Sequence, residues 1–180
     1  GASSVPGKGS TFWFTALFDK IEDGGAIQTE QRNKDACHQI ATRFAGTRVL
    51  LVEDDEINQI VAQENLADAG LVADIASDGL EALARIRQAS PGQYALVLMD
   101  MQMPHMDGLE ATREIRKLPQ AATLPIIAMT ANAFNEDRAR CLDAGMNDFL
   151  SKPVVPDKFY ATLYAWLQRP AMDLEKSNPT

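Results

Sequence analysis

The sequence predicts a doubly wound α/β domain built on a five-stranded parallel sheet, and three observations predict it. From about Arg48 onward, short runs that are apolar at every position recur along the chain; segments of helical period lie between them; and five of each fit into about 120 residues. A strand apolar on both faces belongs in the centre of a parallel sheet, where helices cover both sides.

The elements are these, in chain order. Val49 to Val52, Ala95 to Met99 and Pro125 to Met129 are the three fully apolar runs, each too short for a helix. Leu71 to Ala76 is a weaker strand, placed at an edge, and Asn147 to Ser151 supplies the fifth. The helices run from Ile57 to Ala69 before Gly70, Leu80 to Ala89 before Pro91, Leu109 to Leu118 before Pro119, and Asn135 to Ala144 before Gly145. Asp107 and Asn135 suit N-cap positions. The last helix, Asp157 to Gln168, lines up Phe159, Leu163, Trp166 and Leu167 on one apolar face.

Composition narrows the classes further. Of 180 residues, 46% are hydrophobic and 23% charged, which suits a globular domain and excludes collagen, low-complexity and disulfide-scaffold chains. No apolar run reaches the roughly 18 residues of a membrane span, and the first 20 residues lack the regions of a signal peptide. Cys37 and Cys141 are expected reduced, in a cytoplasm-like compartment. The net charge is −8, and residues 47 to 169 hold 11 Lys and Arg against 18 Asp and Glu, so nucleic-acid binding is not expected.

Residues 1–46 read differently. Thr11 to Phe18 is a strand-like aromatic run, followed by a polar stretch without period. Residues 23–46 read as a linker with a short helix around Ala36 to Phe44, loosely attached to the α/β unit, and residues 170–180 as a polar tail.

In an open parallel sheet, ligands bind outside the carboxyl ends of the strands. There this chain carries Glu53-Asp54-Asp55 after Val52, Asp100 after Met99, Thr130-Ala131 after Met129, and Ser151-Lys152-Pro153 after Leu150. Carboxylates in contact repel by about 4 kcal/mol at an effective dielectric near 20. One ammonium, Lys152, is too little for three of them, so a hard divalent cation is expected. All-oxygen ligands without His or Cys point to magnesium, with manganese as the alternative. Flanked by a metal and an ammonium, Asp100 is suited to act as a nucleophile that accepts a phosphoryl group, and the Thr130 hydroxyl to donate to a phosphoryl oxygen.

These residues carry a family resemblance. Arg48 to Leu167 resembles a receiver domain of two-component signalling proteins through four motifs in order: Leu51-Val52-Glu53-Asp54-Asp55, Leu98 to Pro104 with Asp107-Gly108, Met129-Thr130-Ala131, and Phe149-Leu150-Ser151-Lys152-Pro153. The resemblance implies a flavodoxin-like (βα)5 fold over residues 47–169. It implies Asp100 as phosphoacceptor, with Lys152 and Thr130 serving the transfer. Asp54 would bind magnesium directly, Glu53 mainly through water, and Asp100 and the backbone carbonyl of Gln102 would complete the protein ligands. Thr130 and Phe149 would form the switch, the Gln102 and Asn132 side chains would tune dephosphorylation, and the Lys152–Pro153 bond would be cis. Asp55 is not counted as a ligand.

The stretch Pro6 to Phe14 resembles the last glycine box and closing strand of a histidine-kinase ATP-binding domain, whose remnant would span residues 1–22. The order implies the C-terminal end of a hybrid sensor histidine kinase, at the cytoplasmic side of a membrane-anchored sensor, with no kinase core in this stretch and no membrane contact by it. Its partners would be the histidine kinase core of the same protein and a histidine phosphotransfer protein; no further cofactor is expected. Catalysis would be confined to phosphoryl transfer onto Asp100 and hydrolysis from it.

Plainer readings compete. Acidic strand ends are often merely solvated, and Lys152, Thr130 or Phe149 alone would read as surface, strand terminus and core. The constellation promotes them together. Gly7-Lys8-Gly9-Ser10-Thr11 fails as a phosphate loop on order and context, and Gly108 is misplaced for a calcium loop. An Asp-nucleophile phosphatase would need an acidic residue where Gln102 stands. A pseudo-receiver without phosphorylation is the remaining alternative, and only a chemical test can exclude it.

Overall fold

The computed structural model describes residues 1–5, 7, 9–15, 26–131 and 135–169, with the backbone only at 11, 12, 26–34 and 135–137. In chain order its elements are β1 (Ala2–Val5), β2 (Gly9–Phe12), α1 (Ala26–Arg43), β3 (Arg48–Val52), α2 (Glu56–Asp68), β4 (Val72–Ala76), α3 (Gly79–Gln88), β5 (Leu96–Asp100), α4 (Gly108–Arg116), β6 (Ile126–Thr130), α5 (Asn135–Asp143), β7 (Asp148–Ser151) and α6 (Pro156–Leu167). All five expected strands and helices of the α/β unit are present, each within a residue or two of its expected ends.

Five parallel strands form one sheet in the order β4-β3-β5-β6-β7, which puts the weak strand β4 at an edge, as its composition predicts. Because side chains alternate across a strand, the apolar runs feed two cores. Leu50, Val52, Val97, Met99, Ile126 and Ala128 face α3, α4 and α5 through Leu83, Ile86, Leu109, Ile115 and Cys141. Val49, Leu51, Leu98, Ile127, Met129 and Leu150 face α2 and α6 through Leu66, Phe159, Leu163 and Trp166. The expected apolar face of α6 is therefore the buried one, with Tyr160 added and Leu167 half-buried.

Caps set the helix starts. Asp107 Oδ1 accepts from the Glu110 amide at 2.7 Å, as expected, and Asp55 and Asp78 cap α2 and α3 in the same way. Asn135 is not a cap but the first residue of α5, and the position before it lies outside the described residues. Cys37 and Cys141 are free thiols. Among the described residues, no helix is long and apolar enough to cross a membrane.

The N-terminal region departs from expectation twice. The aromatic run supplies only the end of β2, which pairs antiparallel with β1; Trp13 follows it and exchanges main-chain hydrogen bonds with Gly1, Trp13 and Phe14 are both exposed, and residues 16–18 lie outside the described residues. The short helix expected around Ala36 to Phe44 is present but longer, an 18-residue helix α1, and its C-terminal half is docked rather than loose. Ile40 is fully buried and Ala36 nearly so in the core beneath α2 and α6. Arg43 Nη1 donates to the Tyr164 hydroxyl at 2.8 Å, Tyr164 donates to Gln39, and the Phe44 and Tyr164 rings meet edge to face. Replacing Ile40 by Ala is expected to cost about 2–4 kcal/mol in urea unfolding. A loss within experimental error would show that α1 is not part of the folding unit.

Arg116 closes the end of the sheet opposite the strand carboxyl ends. Its guanidinium donates at 2.8 Å to the carbonyls of Gly145, Ala121 and Leu124 and to Asn147 Oδ1, which also accepts from the Ile126 amide. Burial pushes it down to about 10, so it remains charged at neutral pH. Arg116→Leu leaves several acceptors without donors and is expected to lower unfolding stability by about 2–4 kcal/mol; an unchanged denaturation midpoint would contradict that role.

Candidate functional site

The strand order reverses between β3 and β5, and the acidic residues lie at that reversal. Glu53 leaves β3 with its amide donating to the Ala76 carbonyl at 3.0 Å, and the residue is 1% exposed. Asp100 ends β5 and is 6% exposed, whereas Asp54 is exposed. One carboxylate oxygen from each of the three lies within 4.8 Å of the others.

Lys152 arrives from the far side of the sheet. Its amide donates to the Thr130 carbonyl at 2.7 Å, and its Nζ donates to Glu53 Oε2 at 2.6 Å and Asp100 Oδ2 at 2.7 Å. Burial raises the Glu53 carboxyl, with Lys152 and Asn58 pulling against it. Burial pulls the Lys152 ammonium down, but its bonds to Asp100 and Glu53 outweigh that and leave it raised. The ammonium thus serves two carboxylates, and with Asp54 the cluster keeps an excess of negative charge.

The β5–α4 connection fixes Asp100 from the other side. The Gln102 amide donates to Asp100 Oδ1 at 3.3 Å, and the Gly108 amide donates to the Met101 carbonyl at 3.2 Å. A Cβ on Gly108 would come within 2.1 Å of the Asp100 carbonyl oxygen, so only glycine lets α4 approach the acidic residue this closely. That is the physical content of the Asp107-Gly108 pair.

A groove lined by Asp54, Gln102, Asp107, Thr130 and Arg140 opens over this loop. Thr130 is 6% exposed at the end of β6, and the strand register puts it on the same sheet face as Phe149. Phe149 is half-buried, with Arg138 Cζ 5.3 Å and Lys158 Nζ 5.2 Å from its ring centroid. The Lys152–Pro153 peptide is cis, as expected.

The structure thus brings Glu53, Asp54, Asp100 and Lys152 together, with Gln102 and Thr130 along the adjoining groove and Phe149 apart, toward α5 and α6. Asn132 lies outside the described residues. Two residues escaped the sequence reading. Asn58 Nδ2 donates to Glu53 Oε1 at 3.0 Å, and Gln59 Nε2 donates to the Glu53 carbonyl at 2.7 Å. The signal that could have found Asn58 was spacing: Asp55 caps α2, and a polar residue three positions later faces back across the cap. His105 pairs through Nδ1 with Asp78 at 2.9 Å.

Fold and site together define a doubly wound α/β protein with an acidic cluster at its strand-order reversal. The family model of the response regulator receiver domain matches residues 49–164, and the chain belongs to that family. Its flavodoxin-like fold is that of solved receivers. The receiver domain of sensor histidine kinase PA1611 from Pseudomonas aeruginosa PAO1, which holds a magnesium ion in its active-site cleft, is 40% identical with a TM-score of 0.64, covering 69% of this chain and 100% of that one. The chemotaxis protein CheY4 of Vibrio cholerae is 32% identical with a TM-score of 0.62, covering 68% of this chain and 100% of its own.

Curated relatives include sensor proteins and hybrid histidine kinases. The aerobic respiration control sensor protein ArcB of Escherichia coli K12 is 39% identical over 153 residues, covering 84% of this chain and 18% of the relative. Hybrid signal transduction histidine kinase L of Dictyostelium discoideum is 44% identical over 110 residues, covering 59% of this chain and 6% of the relative. The chain thus spans less than a fifth of the length of these curated relatives.

The donor set fits magnesium. Three carboxylate oxygens within 4.8 Å approach the roughly 4 Å that opposite ligands of an octahedral magnesium span. Magnesium at a hundredfold excess over its dissociation constant is expected to stabilise the fold by about 2.7 kcal/mol. Asp54→Asn should abolish that increment and, in metal-free buffer, raise the melting temperature by relieving like-charge repulsion. A variant that gains as much from magnesium as the wild type would remove Asp54 from the metal site.

Proposed function

We propose that this receiver domain accepts a phosphoryl group on Asp100 from a phosphohistidine and passes it to the histidine of a phosphotransfer protein. The observation that carries the reading is Lys152 Nζ hydrogen-bonded at once to Glu53 and Asp100, at 2.6 and 2.7 Å, beside an exposed Asp54. An acidic residue so placed is desolvated, oriented and matched with a movable counter-charge.

In the proposed transfer a carboxylate oxygen of Asp100 attacks phosphorus, forming the O–P bond while the N–P bond to imidazole breaks. The imidazole nitrogen keeps the electron pair. Glu53, Asp54, Asp100 and the Gln102 carbonyl would hold Mg2+, with Mn2+ as substitute; when bound, the ion neutralises charge on the phosphoryl oxygens. Lys152 leaves one carboxylate partner for a phosphoryl oxygen, and Thr130 donates its hydroxyl to another. Phe149 moves with Thr130 across their shared sheet face, away from Arg138 and Lys158. Gln102 and Asn132 are assigned to tuning the rate of hydrolysis from Asp100.

The parent protein is read as a hybrid sensor histidine kinase, cytoplasmic at this end, with its own kinase core as phosphodonor. The β1–β2 hairpin, within the stretch 1–22, is assigned to the end of the ATP-binding domain. Its support is the exposure of Trp13 and Phe14, 53% and 89%, which suits a segment whose apolar cover belongs to another part of the protein.

The test is incubation with a small acyl phosphate and magnesium, then measurement of intact mass. Wild type is expected to gain one base-labile phosphate and Asp100→Asn none. Lys152→Ala should slow adduct formation by at least about tenfold, as expected when a charge-stabilising group is lost. Equal labelling of wild type and Asp100→Asn would overturn the assignment.

A further inference from the structure

Glu53 is 1% exposed, and both its carboxylate oxygens are occupied: Oε2 by Lys152, and Oε1 by Asn58 Nδ2 at 3.0 Å. The two donors differ in kind. Lys152 is shared with Asp100 and is called on by any phosphoryl group that arrives there, whereas Asn58 is neutral and has no bond to Asp100. A buried carboxylate stripped of its donors costs several kcal/mol. Glu53 would therefore hold Lys152 back unless something else satisfied it.

We propose that Asn58 is a positioning residue for the acidic cluster: its amide fixes the Glu53 carboxylate in place, so that Glu53 stays aimed at the metal site and Lys152 is able to leave it. The inference rests on the reading of Glu53 as part of that metal site. Local structure makes Asn58 a fixed point. Asp55 Oδ1 accepts from the Asn58 amide at 2.9 Å and from the Ile57 amide at 3.0 Å, which locks the first turn of α2. Gln59, next along that turn, grips the Glu53 carbonyl at 2.7 Å. The start of α2 thus holds Glu53 at both its main chain and its carboxylate, and the cap residue Asp55 orients the clamp without touching the cluster.

Space around Asn58 makes the idea testable by substitution. A cavity of about 190 Å³ lies beside it, lined by Glu53, Val61, Ala62, Met129, Lys152 and Val154. An extra methylene at position 58 has room there. Asn58 itself is exposed, so its replacement does not open the core.

The experiment is a calorimetric magnesium titration of the full chain, comparing wild type, Asn58→Leu, Asn58→Gln and Asp54→Asn, with urea midpoints measured alongside. Asn58→Leu keeps the volume and removes the donor; it is expected to weaken magnesium binding by about tenfold, as loss of a group that orients a metal ligand commonly does. Asn58→Gln should recover most of that loss, because its amide still reaches Oε1. Leu binding magnesium as tightly as wild type would overturn the proposal, as would Gln losing as much as Leu. A shifted urea midpoint with unchanged magnesium affinity marks a merely structural residue and also overturns it. If Asp54→Asn binds as wild type does, the metal-site reading itself falls, and this inference falls with it.

Discussion

The rest of the structure depends on holding two carboxylates, Glu53 and Asp100, out of water beside a third. Each is at most 6% exposed, and Coulomb repulsion at contact is worth about 4 kcal/mol at an effective dielectric near 20. A single ammonium makes this tolerable, and the sheet decides where it stands. Glu53 and Asp100 leave neighbouring strands, β3 and β5, at the same edge, while Lys152 leaves β7, two strands beyond β5. The side chain therefore crosses over β6 to reach them, with its main chain pinned to the Thr130 carbonyl at 2.7 Å. An ion pair that spans most of the sheet reports on the position of every strand between.

The two helices beside that ion pair also receive α1. Helix α2 starts with the turn that holds Glu53, and α6 starts just past Lys152 and Pro153. Helix α1 packs into the core beneath both through Ala36 and Ile40, and Tyr164 of α6 is tied to Gln39 and Arg43. The segment that connects the receiver to whatever precedes it is thus in contact with the elements that frame the acidic cluster. A displacement of α1 has a short mechanical path to α2, whatever chemistry occurs there.

Much of this was legible in the sequence because the governing forces are local or periodic. Strands such as Leu96–Asp100 are apolar at four successive positions, and an acidic residue at the end of such a run has no packing reason to be there. The four strand-end motifs were readable for that reason, and so was α6, with its 3.6-residue stripe. What stayed hidden was tertiary. Helix α1 is polar along most of its length and anchors through a few positions, so its sequence carries no period; only the groove between α2 and α6 makes it a docked element. Arg116 reads as a surface basic residue because its partners are carbonyls of loops far apart in the chain. Asn58 looks like an ordinary polar residue on an exposed helix turn, and its partner, Glu53, gives no sign in the sequence of needing two donors.

The charge arithmetic of the cluster separates a reactive site from a structural ion pair. A buried pair of one carboxylate and one ammonium is self-satisfied, and breaking it costs several kcal/mol. Here one ammonium is divided between two buried carboxylates, with a third carboxylate exposed nearby, so the group starts short of positive charge. A divalent cation would lower its energy, and in the proposed transfer Lys152 would then have less to neutralise and more reason to turn to the phosphoryl oxygen. Under the proposed clamp Glu53 would not resist that turn, since Asn58 would keep its carboxylate and Gln59 its main-chain carbonyl. A receiver whose acidic residues were fully neutralised at rest would have no such bias, and its lysine would be a strut rather than a moving part.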